Sequence, residues 1–226
     1  MNLLPDLTPK EAVQFQKQLV EMIRSRPLPP PRENLLIAGA DCSYEKRATT
    51  GYAAIVVCRW PSMEIVDVGR GTADIGFPYV PGLLSFREIP LLQLAWESLR
   101  VKPAFVVVDG QGMAHPRRMG LASHAGLVWN TPTIGSAKSL LVGEHRPLRE
   151  KRGSRAILKH QGETIGVALR TREGVKPVYV SPGHLADLKT AAQWILRLSP
   201  KYRIPEVIRL AHQEVNRLRR KDLPAR

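Results

Sequence analysis

The chain reads as an α/β protein in which one mixed sheet is covered by helices. Two observations carry that reading. Residues 35–44, 51–60 and 64–74 are strand-like runs joined by short connectors of turn formers (Thr49, Thr50 and Gly51; Pro61 and Ser62), the pattern of an antiparallel meander. After a helical pattern at 84–100 comes Ala104-Phe105-Val106-Val107-Val108, apolar at every position, as a strand buried on both faces must be. Strands, then a helix, then a buried strand build a sheet with helices laid against it.

The remaining elements follow in order. Thr8-Pro9-Lys10-Glu11 is a helix start, with Thr8 able to cap, Pro9 suited to the first turn and Glu11 placed to reach back. That helix should stop near Arg24, because Pro27, Pro29, Pro30 and Pro31 cannot continue it. A helix is expected at 116–129 and a strand at 133–135. Two further strands, 163–170 and 177–180, alternate with basic loops, and helices close the chain at 184–198 and 205–220. The expected organisation is a single domain over 1–226. An N-terminal helix and proline connector (1–33) precede a core (34–220) and a basic tail (221–226).

The 226 residues suffice to bury a core without disulfides. Lys and Arg number 34 against 20 Asp and Glu, a net charge of +14. Such an excess points first to a polyanion, because phosphate neutralisation supplies most non-specific nucleic-acid affinity. Anionic membrane is the competing partner, but no basic amphipathic anchor stands out. Cys42 and Cys58 lack paired spacing and are read as reduced thiols. The N-terminus carries acids and no long apolar stretch, so a cytoplasmic protein with no membrane partner is expected.

Acids are scarce, so their positions carry information. Asp41 closes the apolar run Leu35-Leu36-Ile37-Ala38-Gly39-Ala40, and Asp109 closes Phe105-Val106-Val107-Val108. Glu88 falls within the helical stripe Leu84, Leu91, Leu92, Ala95 and Leu99, where an unpaired carboxylate costs several kcal/mol. Ser85 as N-cap with Glu88 as its capping-box partner would also place it there, and both readings can hold together. One acid from each of three neighbouring elements could meet at one sheet end. Clustered carboxylates persist when a divalent cation bridges them, and Mg²⁺ or Mn²⁺ suits such an oxygen-rich site. Two such ions can clamp a phosphodiester, which makes a nuclease the sharpest reading.

The motifs also resemble a known family. They are Ala38-Gly39-Ala40-Asp41-Cys42-Ser43-Tyr44, Pro78-Tyr79-Val80-Pro81-Gly82, Phe86-Arg87-Glu88, and Val107-Val108-Asp109-Gly110-Gln111-Gly112 with His115-Pro116-Arg117. Gly120-Leu121-Ala122-Ser123-His124, Gly135-Ser136-Ala137-Lys138 and Val180-Ser181-Pro182-Gly183-His184 continue the series. In this order they resemble endonuclease V over most of the chain. The resemblance implies a ribonuclease H-like fold and a Mg²⁺ cofactor, with Mn²⁺ able to substitute. It implies a DNA-repair enzyme of the deoxyribonuclease V type, hydrolysing the second phosphodiester bond 3′ to deoxyinosine, or to inosine in RNA. The ends left are a 3′-hydroxyl and a 5′-phosphate. Asp41, Glu88 and Asp109 correspond to the metal-binding carboxylates, Lys138 to a lysine near the reacting phosphate, and His212 to an Asp or His close to the metals.

The remaining roles are expectations about substrate. Pro78 and Pro81 stiffen their loop, so Tyr79 can be pushed between bases as a wedge with Val80 beside it. Small residues let backbone amides approach a flipped base, which nominates Gly82, Gly110, Gly112 and Gly120, with His115 nearby. Lys151, Arg152, Arg155, Lys159, Arg217, Arg219, Arg220 and Lys221 either track phosphates or are simply solvated. Two other functions compete, a ribonuclease H-like junction resolvase and a non-catalytic nucleic-acid-binding protein. A monomer is expected.

Overall fold

The computed structural model describes residues 3–45 and 49–222. The predicted meander is present: β1 (Leu36–Ser43), β2 (Thr50–Arg59) and β3 (Glu64–Asp74) pair antiparallel in sequence order. On the other side of β1 lies β4 (Phe105–Val108), in parallel, and then β5 (Thr133–Ala137), again parallel. Three antiparallel strands complete the sheet, β6 (Arg155–His160), β7 (Glu163–Leu169) and β8 (Val178–Pro182), in the order β3-β2-β1-β4-β5-β8-β7-β6. The mixed sheet flanked by helices is therefore the fold.

Five helices cover it: α1 (Pro9–Val20), α2 (Leu84–Glu97), α3 (Leu121–Trp129), α4 (Leu188–Arg197) and α5 (Glu206–Asp222). Alternation along the strands divides the core between two layers. Phe105 and Val107 of β4 pack with α4 and α5, while Val106 and Val108 pack with α2 and α3. α5 lies directly on β1, since a Cβ on Gly39 would stand 2.1 Å from the Val207 carbonyl oxygen. α1 starts as its sequence requires, with Thr8 and Glu11 forming the capping box.

Several boundaries differ from expectation. The stretch 155–160, a basic loop by sequence, is the edge strand β6; only Leu158 of it is buried, so its charges conceal the period-two pattern. Charged side chains on an edge strand also discourage pairing with another chain. The helix expected from 116 begins at Leu121, because Arg118 takes a left-handed φ of 59°. α4 begins at Leu188 rather than 184, behind Leu185 at φ 52° and an Asp187 cap that accepts from the Thr190 amide at 2.7 Å. α1 ends at Val20, short of Arg24. Of the tail 221–226, Lys221 and Asp222 continue α5, and residues 223–226 lie outside the described residues.

Candidate active site

β1 and β4 run parallel with Ala40 opposite Val108, so Asp41 and Asp109 emerge side by side at adjacent strand ends. The Asp109 amide donates to the Ala40 carbonyl at 3.1 Å and fixes their register. Carboxyl ends of parallel strands are where open α/β sheets receive ligands. Gly39 faces α5, and alternation turns Asp41 to the same side, where its Oδ2 lies 2.7 Å from His212 Nδ1 of α5. His212 Nε2 takes a bond from Asn216 Nδ2 at 3.1 Å, so the ring proton sits on Nδ1 and is donated to Asp41. Lys138, which follows β5 one strand further on, is ion-paired with Asp109 Oδ2.

Glu88 arrives from the opposite layer. The capping-box reading fails here, because the N-cap of α2 is Leu83, with no side-chain cap bond. Glu88 is then the fifth helical residue, past the reach of a cap amide. Leu84, expected on the apolar stripe, is exposed at the first position of α2. The Glu88 carboxyl is instead buried, with Oε1 accepting from the Tyr44 hydroxyl at 3.0 Å. Burial and the charge of Asp109 push the Asp41 carboxyl up to about 6, against the opposing pull of His212 and Lys138. Burial pushes Glu88 up to about 8; Asp41 and Asp109 add to the rise, while Tyr44 and Arg87 oppose it. The charge of Asp109 acts on both Asp41 and Glu88, and that of Asp41 acts on Glu88, so the three acids share one field.

They share a field but do not form a cage. Among the described residues, no three acidic, histidine or cysteine side chains close into a ready ligand set. Lys138, His212 and Tyr44 occupy the oxygens instead. The donor chemistry itself fits a hard divalent cation: three carboxyls, partly buried, with repulsion that protein groups offset only in part. Beside them lies a cleft of about 440 Å³ lined by Lys138, Tyr202, Arg203, Arg209 and His212. Its excess of cationic groups suits phosphate.

The loop 78–82 leads into α2. Tyr79 is 71% exposed while Pro78 and Pro81 are also at the surface, and Val80 packs inward against Leu83 and Phe86. Gly82 has a φ of +79°, the left-handed region that favours glycine. Gly112 and Gly120 are required by close backbone packing inside the protein: a Cβ would stand 2.2 Å from the Pro182 carbonyl oxygen and 2.3 Å from that of Gln111. Gly110 is less confined, its nearest neighbour being the Leu121 side chain at 3.2 Å. His115 is buried with both ring nitrogens engaged, by the Arg117 amide and the Gly82 carbonyl. Among the basic residues, Arg152 donates to the carbonyls of Leu196 and Ser199, and Arg217 pairs with Glu214.

Four residues at or near the site escaped the sequence reading. Tyr44 and Arg117 stood inside the quoted motifs with no role attached. Arg203 gives no local signal; its Nη2 holds the Lys138 carbonyl at 2.5 Å. Gln16 does give one, because Ala12, Gln16 and Leu19 form the buried stripe of α1, and a glutamine there needs partners.

A profile of the endonuclease V family matches residues 17–213. The endonuclease V of Myxococcus xanthus is 56% identical over 96% of this chain and 92% of that protein. The Trichormus variabilis endonuclease V is 47% identical over 91% of this chain and 92% of that protein. Among solved structures, endonuclease V from Streptomyces avermitilis superposes with a TM-score of 0.91 at 40% identity, covering 96% of this chain and 95% of that one. The Ciona intestinalis endonuclease V, solved with a 23mer DNA containing an inosine followed by a ribo-adenosine, gives 0.80 at 27% identity, covering 95% and 99%. Motif order, fold and these likenesses agree, and the chain belongs to the endonuclease V family of nucleases.

Proposed function

We propose that this nuclease hydrolyses the second phosphodiester bond 3′ to deoxyinosine, leaving a 3′-hydroxyl and a 5′-phosphate. The observation that carries the reading is the pairing of Asp41 and Asp109 on adjacent parallel strand ends, with Glu88 in the same field and Lys138 at its edge. Asp41, Asp109 and Glu88 would hold Mg²⁺ or Mn²⁺, which supplies charge neutralisation and Lewis acidity to the phosphate. His212 orients Asp41 through its Nδ1–H bond. Lys138 brings a mobile positive charge to the phosphate, held over the site by Asp109. Arg203 and Arg209 widen that positive surface along the cleft, where a phosphate backbone would be neutralised.

Recognition falls to the loop 78–82 and the turn after β4. An exposed tyrosine between two prolines is pre-stiffened, so pressing its ring between bases costs little further ordering. A deaminated adenine pairs weakly and unstacks at the lowest cost, which biases such a wedge toward the lesion. The Ciona complex, with its inosine-bearing strand, supports the same substrate class for this chain.

A nicking assay on an oligonucleotide with one deoxyinosine tests the proposal, run with Mg²⁺ and with chelator. Cutting one nucleotide past the lesion, only with the cation, is expected; cation-independent cutting, cutting only at branched junctions, or binding without cutting refutes it. Tyr79→Ala should weaken lesion binding while leaving the cation requirement unchanged, and unaltered nicking at low enzyme concentration would count against the wedge. Matched inosine-containing RNA in the same assay reports which sugar is preferred.

A further inference from the structure

α1 packs beneath the loop that carries Tyr79. Ala12 and Phe15 of α1 meet Phe77, Val80, Leu83 and Phe86 in one apolar cluster. At its edge Gln16 is fully buried and every polar atom of its amide is used. Its Nε2 donates to the carbonyls of Gly82 and Met119, both at 3.1 Å, and its Oε1 accepts from Arg117 Nε at 2.5 Å.

The Gly82 carbonyl receives two further donors. Arg117 Nη2 lies 2.7 Å from it, and His115 Nε2 lies 3.0 Å away. His115 Nδ1 accepts from the Arg117 amide at 3.2 Å, so the ring proton is on Nε2 and the imidazole is a donor to Gly82. Three donors from two separate segments thus meet one oxygen, more than a buried carbonyl needs for satisfaction. Gly82 is also the point where the chain takes its left-handed φ of +79° on the way from loop to α2. Fixing that oxygen fixes the direction in which the preceding residues leave, Tyr79 among them.

We propose that Gln16 is a positioning residue for substrate recognition: with Arg117 and His115 it clamps the Gly82 carbonyl and so sets the pose in which Tyr79 is presented. The inference rests on the wedge reading of Tyr79. The clamp makes α1 part of the recognition apparatus. Gln16 touches no reacting atom and acts on binding through the loop.

The test uses the full-length protein with Gln16→Leu, Gln16→Glu and Arg117→Lys. Gln16→Glu keeps an acceptor for Arg117 but supplies no donor to Gly82; Arg117→Lys keeps the charge but loses the fork that spans Gln16 and Gly82. Expected is amide hydrogen exchange at Leu83, whose amide donates to the Val80 carbonyl at 3.0 Å, faster by about tenfold or more in all three, with Val106 and Val107 of β4 unchanged. On the deoxyinosine oligonucleotide KM should rise roughly tenfold while kcat stays within about threefold, the pattern of lost binding. Wild-type exchange in the loop, a Gln16→Glu protein indistinguishable from wild type, or a loss carried by kcat alone overturns the clamp. Should wild type fail to cut deoxyinosine while the variants still loosen the loop, the clamp stands and the proposed substrate falls.

Discussion

The acidic cluster and the clamp at Gly82 are joined by α2, yet they are held in opposite ways. At the strand ends, burial and the charge of Asp109 raise the proton affinity of Asp41, and burial with the charges of Asp41 and Asp109 raises that of Glu88, with Lys138, His212 and Tyr44 as partial relief. At Gly82, donors outnumber the acceptor and the groups involved are satisfied within the protein. Burial therefore works against the charged forms of Asp41 and Glu88 in the first region, and the second carries no such penalty on its hydrogen-bonded groups. The difference teaches where function resides: the site proposed to bind a cation and a phosphate leaves its charges only partly compensated, while the structure proposed to aim it is fully bonded.

The largest effect is expected from the acids. Asp109→Ala should lower cleavage by on the order of 10³-fold or more, about 4 kcal/mol of barrier, with unfolding free energy unchanged or raised. Rate and denaturant melts measured on one preparation check both halves; a fall in stability that tracks the loss of rate would break the contrast.

Next is the turn that joins the two regions. Gly120→Ala forces a methyl against the Gln111 and Gly112 carbonyls, at 2.3 and 2.6 Å in the present packing. Neither contact is with a flexible side-chain end, so roughly 3 kcal/mol or more should be lost. A denaturant midpoint equal to wild type would show that the turn tolerates what the acids do not.

Smaller, but more diagnostic, is the pH dependence of cation-free protein. Glu88 in the folded state is raised to about 8, above its ordinary 4.5, so its contribution is fully present below 4.5 and is lost as pH rises through 8. Burial, aided by Arg117, lowers His115 from 6.5 to about 4, so the folded state favours the neutral ring. That contribution is complete above 6.5 and declines as pH falls toward 4. Glu88→Gln should therefore flatten the alkaline limb of stability against pH, and His115→Gln the acid limb, each by on the order of 1–3 kcal/mol. Chemical denaturation across pH 4–9 reads both, and limbs unaffected by either substitution would remove the electrostatic half of the comparison.

Much of the candidate site is legible because chemistry leaves marks in one dimension. Asp41 and Asp109 end apolar runs, and Glu88 interrupts an apolar stripe; each is a charge where burial penalises charge. Tyr79 between prolines is equally visible. His115 was read as a pocket residue, yet its ring is spent on the Arg117 amide and Gly82, which no spacing rule could reveal. The edge strand β6 escaped because charge masked its alternation, and the helix before Leu121 was overextended because nothing local announces the left-handed Arg118.

By itself the sequence determined the layers and the identity of the acids, since apolar periodicity and the cost of burying charge are properties of short segments. Only the tertiary structure decided that β4 lies beside β1, that Tyr44 rather than a helix cap takes Glu88, and that Gln16 reaches Gly82 from 66 residues away. Hydrogen bonds between distant segments are selected by where the backbone places donors and acceptors after the core has packed.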